Sequence, residues 1–368
     1  MLTERATRVR DRMAELGVDV LLLSAGPELP WLTGYEAMPL ERLTMLVLPR
    51  DGDATLVVPR LEAPRVVERP EVFELLAWDE TEDPVRLVAE RVGRAATVAI
   101  GDRTWARFVI DLQAACPHAR FVRADRVTGP LRAVKDEGEV AALRRAAAAV
   151  DRVAAALQAG EIPLVGRTEA EVAAELGRRI VEEGHRRVNF AIVAAGENAA
   201  SPHHEPGGRT IRPGDVVLCD VGGTMDDELG IGYCSDITRC VHVGEPPPEV
   251  RDAYAVLHEA QRAAVAAATV GTPCEQVDAT ARRIITEAGH GDRFVHRTGH
   301  GIGVEEHEDP YIVAGNATPL APGHAFSIEP GIYVPGRFGL RLEDIVVATD
   351  AGPEPLNRVD HGLAVVEG

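Results

Sequence analysis

Hydrophobic and polar positions follow two different periods in the first third of the chain. Leu2, Val9, Met13 and Leu16 recur at helical spacing and predict an amphipathic helix over residues 2–16. An apolar run at 18–24 is typical of a buried strand. The same patterns predict further strands at 43–48, 54–58 and 97–101 and helices at 83–93 and 104–115. Strands that alternate with helices favour an α/β layer with a mixed sheet.

The pattern changes near residue 130, where Gly129-Pro130 interrupts it. The Ala-rich segment that follows has acidic residues in its first turn and arginines later, which suits a helix dipole and predicts a helix over 136–157. The further elements are helices at 168–184, 248–268 and 275–288 and strands at 190–195, 215–221 and 236–243. Helices grouped against antiparallel strands indicate an α+β class. Since 368 residues are many for one core, we predict two domains, 1–129 and 130–368.

Composition and charge exclude several classes of protein. Hydrophobic residues make up 45% of the chain and charged residues 26%, as in ordinary globular proteins. No apolar run is long enough to cross a bilayer, and charges interrupt the N-terminus too often for a signal peptide, so we expect a cytoplasmic protein. The net charge of −19 disfavours nucleic acid as a partner. Five cysteines without a Cys-x-x-Cys pair predict free buried thiols instead of disulfides or structural zinc.

Five side chains carry the chemistry that the sequence suggests. They stand at the ends of short apolar strand candidates, beside Gly or Pro, and they are Asp220, Asp236, His300, Glu329 and Glu343. Strand ends of one sheet can converge on a cleft. Four carboxylates and an imidazole can hold two divalent cations, which can lower the pKa of a shared water and polarise a carbonyl. Mostly oxygen ligands suit Mn²⁺, Co²⁺, Fe²⁺ or Zn²⁺, and the lack of His-Glu-x-x-His argues against that class of zinc protease.

The order of these residues and their flanks resembles the pita-bread metallopeptidases, the family of prolidase, aminopeptidase P, methionine aminopeptidase and creatinase. The resemblance rests on Thr-Gly-His-Gly-Ile-Gly at 298–303, Ser-Ile-Glu-Pro-Gly-Ile-Tyr at 327–333 and Arg-Leu-Glu-Asp at 341–344. It covers essentially the whole chain. It implies an α+β pita-bread catalytic domain over 130–368, preceded by a smaller α/β creatinase-type N-terminal domain over 1–129.

The resemblance also implies how the metals are held. Asp220 would bind one ion, His300 and Glu329 the other, and Asp236 and Glu343 would bridge the two. Two divalent ions per chain are therefore expected, with Mn²⁺ as the first candidate and Co²⁺, Zn²⁺ or Fe²⁺ as alternatives.

Further residues receive roles from the resemblance. The catalytic set would be His203, His307, Glu329 and Arg341, with His307 close to the scissile bond and able to shuttle protons. The substrate-binding set would be His203, His296, Tyr333 and Arg341. His204 stays open as an alternative to His203, and Arg341 could instead pair with a ligand carboxylate. We expect Glu308 and Asp344 to support the site or to be solvated.

The favoured function is cleavage of Xaa-Pro dipeptides, so the expected partner is a small peptide with proline at its second position. An aminopeptidase acting on longer Xaa-Pro peptides uses the same chemistry and stays open, as does a non-catalytic peptide-binding module on the same fold. Methionine aminopeptidase usually lacks the first domain, and creatinase works without metal, so both are disfavoured. The family implies a homodimer. The stretch 221–235 is longer than the usual hairpin of the family and predicts an extended turn near 226–228.

Overall fold

The computed structural model describes residues 1–367, which form two compact units. The first unit consists of Met1–Arg132 together with Asp227–Gly232, and the second of Ala133–Asp226 and the chain from Tyr233 onward. Of the extended turn predicted near 226–228, Asp227 and Glu228 therefore belong to the first unit and Asp226 to the second. The division at residues 129 and 130 stays a prediction about domains.

The first unit is an α/β layer built on one mixed sheet. Its helices are α1 (Leu2–Leu16), α2 (Glu28–Thr33), α3 (Pro84–Val92), α4 (Ala106–Ala115) and α5 (Asp125–Ala133). Its strands are β1 (Val20–Leu23), β2 (Met45–Pro49), β3 (Thr55–Pro59), β4 (Glu74–Trp78), β5 (Thr97–Ile100) and β6 (Arg120–Arg123). The strand order is β4-β3-β2-β1-β5-β6, with β1 antiparallel to β2 and parallel to β5. The predicted mixed sheet is confirmed.

Local sequence explains most of these elements. The face of α1 that carries Val9 and Met13 is completely buried, and the helix ends at Gly17, whose φ of 64° closes it in the left-handed conformation. Asp83 caps α3 by accepting hydrogen bonds from the backbone N–H groups of Val85 and Arg86.

One boundary signal was wrong. Gly129-Pro130 was expected to interrupt the helical pattern, but both residues lie inside α5. Burial of Val127 and Thr128, neither of which is exposed, outweighs the local cost of a proline within so short a helix. The pattern also missed α2, β4 and β6, because each is short and lacks a clear period.

The second unit groups four helices against two sheets. The helices are α6 (Glu137–Gln158), α7 (Glu169–Glu182), α8 (Pro248–Ala267) and α9 (Cys274–Glu287). The strands are β7 (Arg187–Ala195), β8 (Val216–Asp226), β9 (Gly232–Cys234), β10 (Ile237–Val243), β11 (Gly299–Gly301), β12 (Glu308–Ile312), β13 (Ala325–Ile328), β14 (Gly331–Val334), β15 (Phe338–Arg341), β16 (Asp344–Thr349), β17 (Gly352–Pro355) and β18 (Ala364–Val366). The α+β class is confirmed.

The two sheets of this unit have the orders β18-β10-β8-β7 and β12-β11-β13-β16-β17; β9 pairs with β8, and β14 with β15 forms a separate hairpin. Helices α6 and α7 begin with complete capping boxes at Asp136 and Thr168. Their apolar faces share a core with Val217 and Cys219 of β8, whereas Leu218, on the opposite face of that strand, joins the core of α8 and α9. The alternation along β8 thus connects both helical layers. Within residues 1–367, no helix has the length and apolarity that a membrane span requires.

Candidate metal centre

All five side chains predicted to bind metal line one cavity of about 520 Å³ in the second unit. We expected these side chains to come from the strand ends of one sheet, but they come from two sheets. Asp220 lies in β8 and Asp236 directly precedes β10 of one sheet. His300 lies in β11, Glu329 directly follows β13 and Glu343 directly precedes β16 of the other sheet. Asp220 also does not end its strand, because β8 continues to Asp226. The site therefore depends on how two sheets meet.

The two sheets are joined directly at the site. Thr238 of β10 forms an isolated antiparallel bridge with Glu343, and the Glu343 backbone N–H donates to the Thr238 carbonyl over 3.3 Å. The Thr238 hydroxyl also donates to Glu343 Oε2 over 2.7 Å. This bridge places Glu343 of the second sheet beside Asp220, the register partner of Thr238 in β8.

Glycines on either side of His300 let its strand approach its neighbours closely. A Cβ atom at Gly299 would lie 1.8 Å from the Ser327 carbonyl oxygen, and one at Gly301 would lie 2.3 Å from the Asp309 carbonyl oxygen. Only glycine fits at either position. The Gly-His-Gly motif therefore places an imidazole between two backbones without room for other side chains.

The imidazole of His300 is oriented as a ligand. Its Nδ1 lies 3.1 Å from the Gly301 carbonyl oxygen, which can only accept, so Nδ1 carries the proton in the neutral ring. Nε2 then presents its lone pair 3.3 Å from Glu329 Oε1 and 3.7 Å from Asp236 Oδ2. A backbone carbonyl that fixes the tautomer in this way is common behind metal-bound histidines.

Three carboxylate oxygens in the cavity are buried and have no hydrogen-bond partner among the described residues: Asp220 Oδ1, Asp236 Oδ1 and Glu343 Oε1. Buried acceptors without partners are rare and costly in folded proteins. Ligand atoms of Asp236, His300 and Glu343 also lie within 4.8 Å of one another. Both observations fit divalent cations held by this donor set.

The electrostatics of the cluster also indicate that it needs bound cations. Burial raises the pKa of Asp236, and the neighbouring Glu343 raises it further. Burial, followed by the charge of Glu329, likewise raises the pKa of Glu343. Burial also opposes ionisation of Glu329, but when the His300 ring is protonated and donates to this carboxylate, the hydrogen bond and the charge of the ring outweigh burial and lower its pKa to about 2. The carboxylates cannot all ionise together without added positive charge.

Arg341 supplies part of that charge from a fully enclosed position. Its Nη2 lies 2.5 Å from Asp220 Oδ2, and the guanidinium also donates to the hydroxyls of Thr238 and Tyr333 and to the Pro202 carbonyl. The side chain is 2% exposed. Arg341 thus pairs with a candidate ligand carboxylate, which was the alternative left open by the sequence.

His296 and Tyr333 support the site from behind. Nδ1 of His296 contacts the Arg297 carbonyl over 2.7 Å, and its Nε2 contacts the Tyr333 hydroxyl over 2.8 Å. Burial lowers the pKa of His296 and raises that of Tyr333 to about 12. His296 lines the cavity, but Tyr333 does not, so the structure does not bring the predicted substrate-binding tyrosine to the cavity wall.

His307 lies against the candidate ligand His300, with ring centroids 4.0 Å apart. Partial burial, followed by the charges of His300 and Arg297, lowers the pKa of His307 to about 4, so the ring is neutral at pH 7. Arg297 Nη2 lies 3.4 Å from His307 Nδ1. Because a guanidinium can only donate, Nδ1 accepts and Nε2 carries the proton. A neutral His307 can therefore donate from Nε2.

The two adjacent histidines at 203 and 204 have different surroundings. His203 lines the cavity. His204 turns instead to Glu169, the first residue of α7, with Nε2 2.8 Å from Glu169 Oε2. The Glu169 carboxylate also accepts from the Ala195 backbone over 2.8 Å and from the Asn198 side chain. It thereby anchors the segment that carries His203.

Five further residues line the cavity and were not predicted: Phe190, Ile192, Pro202, Arg297 and Glu306. Phe190 and Ile192 are alternate residues of β7, and Ile192 is the register partner of Asp220. Alternate residues of a strand share one face, and β7 pairs with the strand of Asp220. This period of two is the sequence signal that could have identified Phe190 and Ile192 as cavity residues. No pattern in the sequence singles out Arg297.

Comparison with known proteins identifies the class. Residues 141–350 match the model of metallopeptidase family M24, and residues 5–134 match the creatinase/prolidase N-terminal domain. The chain belongs to metallopeptidase family M24, and the expected pita-bread fold with a creatinase-type N-terminal domain is confirmed. Membership implies divalent metals and peptide substrates.

Particular relatives resemble the chain over nearly its full length. It is 45% identical to the probable dipeptidase PepE of Mycobacterium tuberculosis, over 96% of this chain and 93% of that protein. The crystal structure of dipeptidase PepE from Mycobacterium ulcerans has a TM-score of 0.92 at 44% identity, covering 100% of this chain and 98% of the other. The recombinant prolidase from Thermococcus sibiricus also has a TM-score of 0.92, at 37% identity, with coverage of 100% and 99%.

Proposed function

We propose that this protein is a dinuclear-metal dipeptidase that cleaves Xaa-Pro dipeptides. The observation that carries the proposal is the set of unpartnered buried oxygens of Asp220, Asp236 and Glu343 around one cavity with His300. The resemblance to proteins named dipeptidase and prolidase favours dipeptides and proline. Divalent ions held by such a set supply Lewis acidity and lower the pKa of water.

The protein residues of the cavity divide the remaining work. Asp220, Asp236, His300, Glu329 and Glu343 would hold the two ions, with Asp236 and Glu343 as the bridging pair. Mn²⁺ is the favoured ion, because the donor set is mostly oxygen.

Proton transfer is assigned to His307. Its neutral ring, with the proton on Nε2, can donate to an oxygen that gains negative charge, and such groups typically contribute about 10²–10⁴-fold. His203, open to solvent in the cavity wall, is placed on the substrate side.

A dipeptidase must recognise the free carboxylate that follows proline. Arg341 already makes four hydrogen bonds, one of them to Asp220, and both ring nitrogens of His296 have partners, so we assign this role to neither. Arg297 lines the cavity, and its guanidinium contacts His307 and the face of the Tyr311 ring. We therefore assign carboxylate recognition to Arg297 with His203. A charged hydrogen bond of this kind is worth about 1.5–3 kcal/mol, or roughly ten- to a hundredfold.

The test compares kcat/KM for Ala-Pro, Ala-Pro amide and Ala-Pro-Ala after reconstitution with Mn²⁺, Co²⁺ or Zn²⁺. The kcat/KM for Ala-Pro should exceed that for the other two substrates by ten- to a hundredfold, and Arg297→Gln should remove most of this difference. Arg283→Gln, at an exposed position of α9, is the matched control and should leave it unchanged. Equal values for all three substrates would favour an aminopeptidase. Metal binding without hydrolysis of any of them would favour a binding module.

Location and assembly belong to the same proposal. The five cysteines are all free and buried, which is compatible with a reducing cytoplasm. The homodimer implied by the family is retained as a proposal, and sedimentation of the purified protein tests it.

A further inference from the structure

Lys135 is the only lysine in the sequence, and every other one of the 39 basic side chains is an arginine. Its side chain is 1% exposed. Arginine is usually preferred in buried ion pairs, because its guanidinium is weakly hydrated and makes several fixed hydrogen bonds. A lone buried lysine in an arginine-rich chain therefore indicates a position that a guanidinium cannot occupy.

The ammonium of Lys135 is paired with a residue far away in sequence. Nζ lies 2.5 Å from Glu308 Oε1, and the Glu308 side chain is only 7% exposed. Nζ also lies 3.4 Å from the Ala133 carbonyl oxygen. The Lys135 backbone is held separately, because its N–H donates to the Gly323 carbonyl over 2.9 Å. Both ends of Lys135 are thus fixed.

The space around this pair excludes larger groups. A Cβ atom at Gly303 would lie 2.5 Å from Glu308 Oε1 and 3.1 Å from Lys135 Cε. A Cβ atom at Gly323 would lie 2.6 Å from the Lys135 carbonyl oxygen. Two glycines therefore leave room for a compact ammonium on a slender chain.

The pair lies next to the proposed proton-transfer group. Glu308 directly follows His307 and begins β12, where its register partner is Gly301. Gly301 in turn directly follows His300, whose ring lies against that of His307. The ammonium thus holds the strand end from which His307 extends, at the point where that strand meets the strand of the candidate ligand His300.

We propose that Lys135 is a positioning residue that acts through Glu308 to set the orientation of His307 in the cavity. The inference rests on the proposed peptidase function and adds a residue to it. Without the ammonium, the buried Glu308 carboxylate would lose the cation of its ion pair with Lys135 and would shift towards other groups or solvent. His307, one residue away, would then lose its fixed orientation.

The first test measures kcat, KM and metal content of Lys135→Met and Glu308→Gln. We expect kcat on Ala-Pro to fall roughly 10- to 100-fold, as displacements of about 1 Å can cause, with KM and ion content nearly unchanged. If Lys135→Met does not fold, Glu308→Gln decides alone, because the amide keeps the shape of the side chain but removes the charge that pairs with the ammonium. The proposal would be overturned if the variants lost metal while the ring signals of His307 stayed unchanged.

A double-mutant cycle separates positioning from general support. In a His307→Ala background, Glu308→Gln should cause little further loss of kcat, because the group that it positions is already absent. If the losses of kcat in the two single variants multiply in the double variant, the Lys135–Glu308 pair does not act through His307. Leu157→Ala is the stability control: it opens a cavity in α6, which begins just after Lys135, and should lower the melting temperature but leave kcat unchanged.

A measurement without turnover keeps this inference distinct from the proposed function. In Zn²⁺-loaded protein with ¹⁵N-labelled histidine, the ring signals of His307, assigned with His307→Ala, should shift in Glu308→Gln, while those of the exposed His118 should not. An unmoved His307 signal overturns the positioning role whether or not Ala-Pro is cleaved. An inactive wild type with a shifted signal overturns only the proposed function.

Discussion

Arg341 shows how single residues balance charge in the cavity. Burial opposes its charge, but Tyr333 and Asp220 outweigh burial and hold its pKa above the ordinary value. Among the five candidate ligands and Arg341, one guanidinium and one imidazole face four carboxylates, so this cluster keeps negative charge that its own cations do not neutralise. Burial raises the pKa values of the acids nearest the centre, Asp236 and Glu343, and the neighbouring carboxylates raise them further.

Loss of a bridging carboxylate should affect metal binding more than loss of a terminal one. We expect Asp236→Asn and Glu343→Gln to retain less than one ion per chain and Asp220→Asn to retain about one. The reason is that a bridging group contacts both ions and reduces the repulsion between them. Elemental analysis after reconstitution and desalting measures the difference.

The control for these variants is circular dichroism, which must show a wild-type fold. Asn and Gln keep the shape of each acid, and Asn at 220 still offers an acceptor to Arg341. Full occupancy by two ions in either bridging variant would contradict the assignment of Asp236 and Glu343.

His324 should make stability depend on pH. Burial, followed by the charge of Lys135, lowers its pKa to about 4, and its Nδ1 accepts from the Ala321 backbone N–H. The unfolded chain binds the proton near pH 6.5, so stability is lost as the pH falls from about 6.5 towards 4. At 1.36 kcal/mol per pKa unit, His324 alone should reduce the free energy of unfolding by about 2 kcal/mol between pH 7 and pH 5.

Urea unfolding at pH 7 and pH 5 tests this dependence. His324→Gln, which retains an acceptor but cannot titrate, should lose about 2 kcal/mol less over this interval than the wild type. His118→Gln, at an exposed histidine, controls for the substitution itself. Parallel pH profiles for His324→Gln and the wild type would refute the assignment.

At the scale of elements, the start of α7 controls the loop that carries His203. Glu169 is the first residue of the helix, and its side chain is completely buried. It binds the Ala195 backbone, Asn198 and His204, which lie before, within and after the short 3₁₀ turn at Gly196–Ala200. One carboxylate therefore closes the loop on which His203 depends.

Glu169→Gln should raise KM for Ala-Pro about tenfold while metal content stays the same. The amide replaces one acceptor oxygen by a donor, which faces the Asn198 or backbone N–H groups and opens the loop. Steady-state kinetics measure KM, and hydrogen exchange over 196–207 should become faster.

Glu171→Gln is the matched control, since Glu171 lies in the same turn of α7 but is exposed and only completes the capping box of Thr168. It should leave KM and loop exchange unchanged. Equal effects of the two variants would mean that helix stability, and not the anchoring of the loop, explains the result.

At the scale of the whole molecule, the candidate metal centre lies where the two sheets of the second unit meet, beside the Thr238–Glu343 bridge and the ion pair of Arg239 with Asp344. Asp220 and Asp236 lie on one side, and His300, Glu329 and Glu343 on the other. Ions bound between them would link the two halves of the second unit and remove the repulsion among its acids.

Chelation should therefore destabilise the second unit selectively. A ligand that binds only the folded state stabilises it by about 2.7 kcal/mol at a concentration of 100 Kd. In calorimetry, a chelator should lower the melting transition of the second unit by several degrees, and added Mn²⁺ should restore it. The transition of the first unit, Met1–Arg132 with Asp227–Gly232, should not move.

Asp236→Asn provides the control for this experiment, because a variant that binds little metal should show no shift with the chelator. If neither the chelator nor Mn²⁺ changed the melting temperature of the second unit in the wild type, this would contradict a metal centre that links the sheets.

Most of the fold and the candidate ligands could be predicted from local patterns. Helix α1 and the strand at Val20–Leu23 follow from apolar spacing, because each period records which face is buried. The five candidate ligands follow from short motifs, since glycines and prolines beside an acid or histidine are needed where strands approach closely. Gly299 and Gly301 around His300 are the clearest case.

Contacts between distant segments could not be predicted in this way. Lys135 and Glu308 are 173 residues apart, and each reads as an ordinary surface charge. The choice of His203 over His204 depended on Glu169, 35 residues from His204, and the helix through Gly129-Pro130 depended on what packs around it. Local sequence specifies backbone preference and the type of each side chain. The partner of a buried charge is decided only when separate segments pack, because burial is what makes that partner necessary.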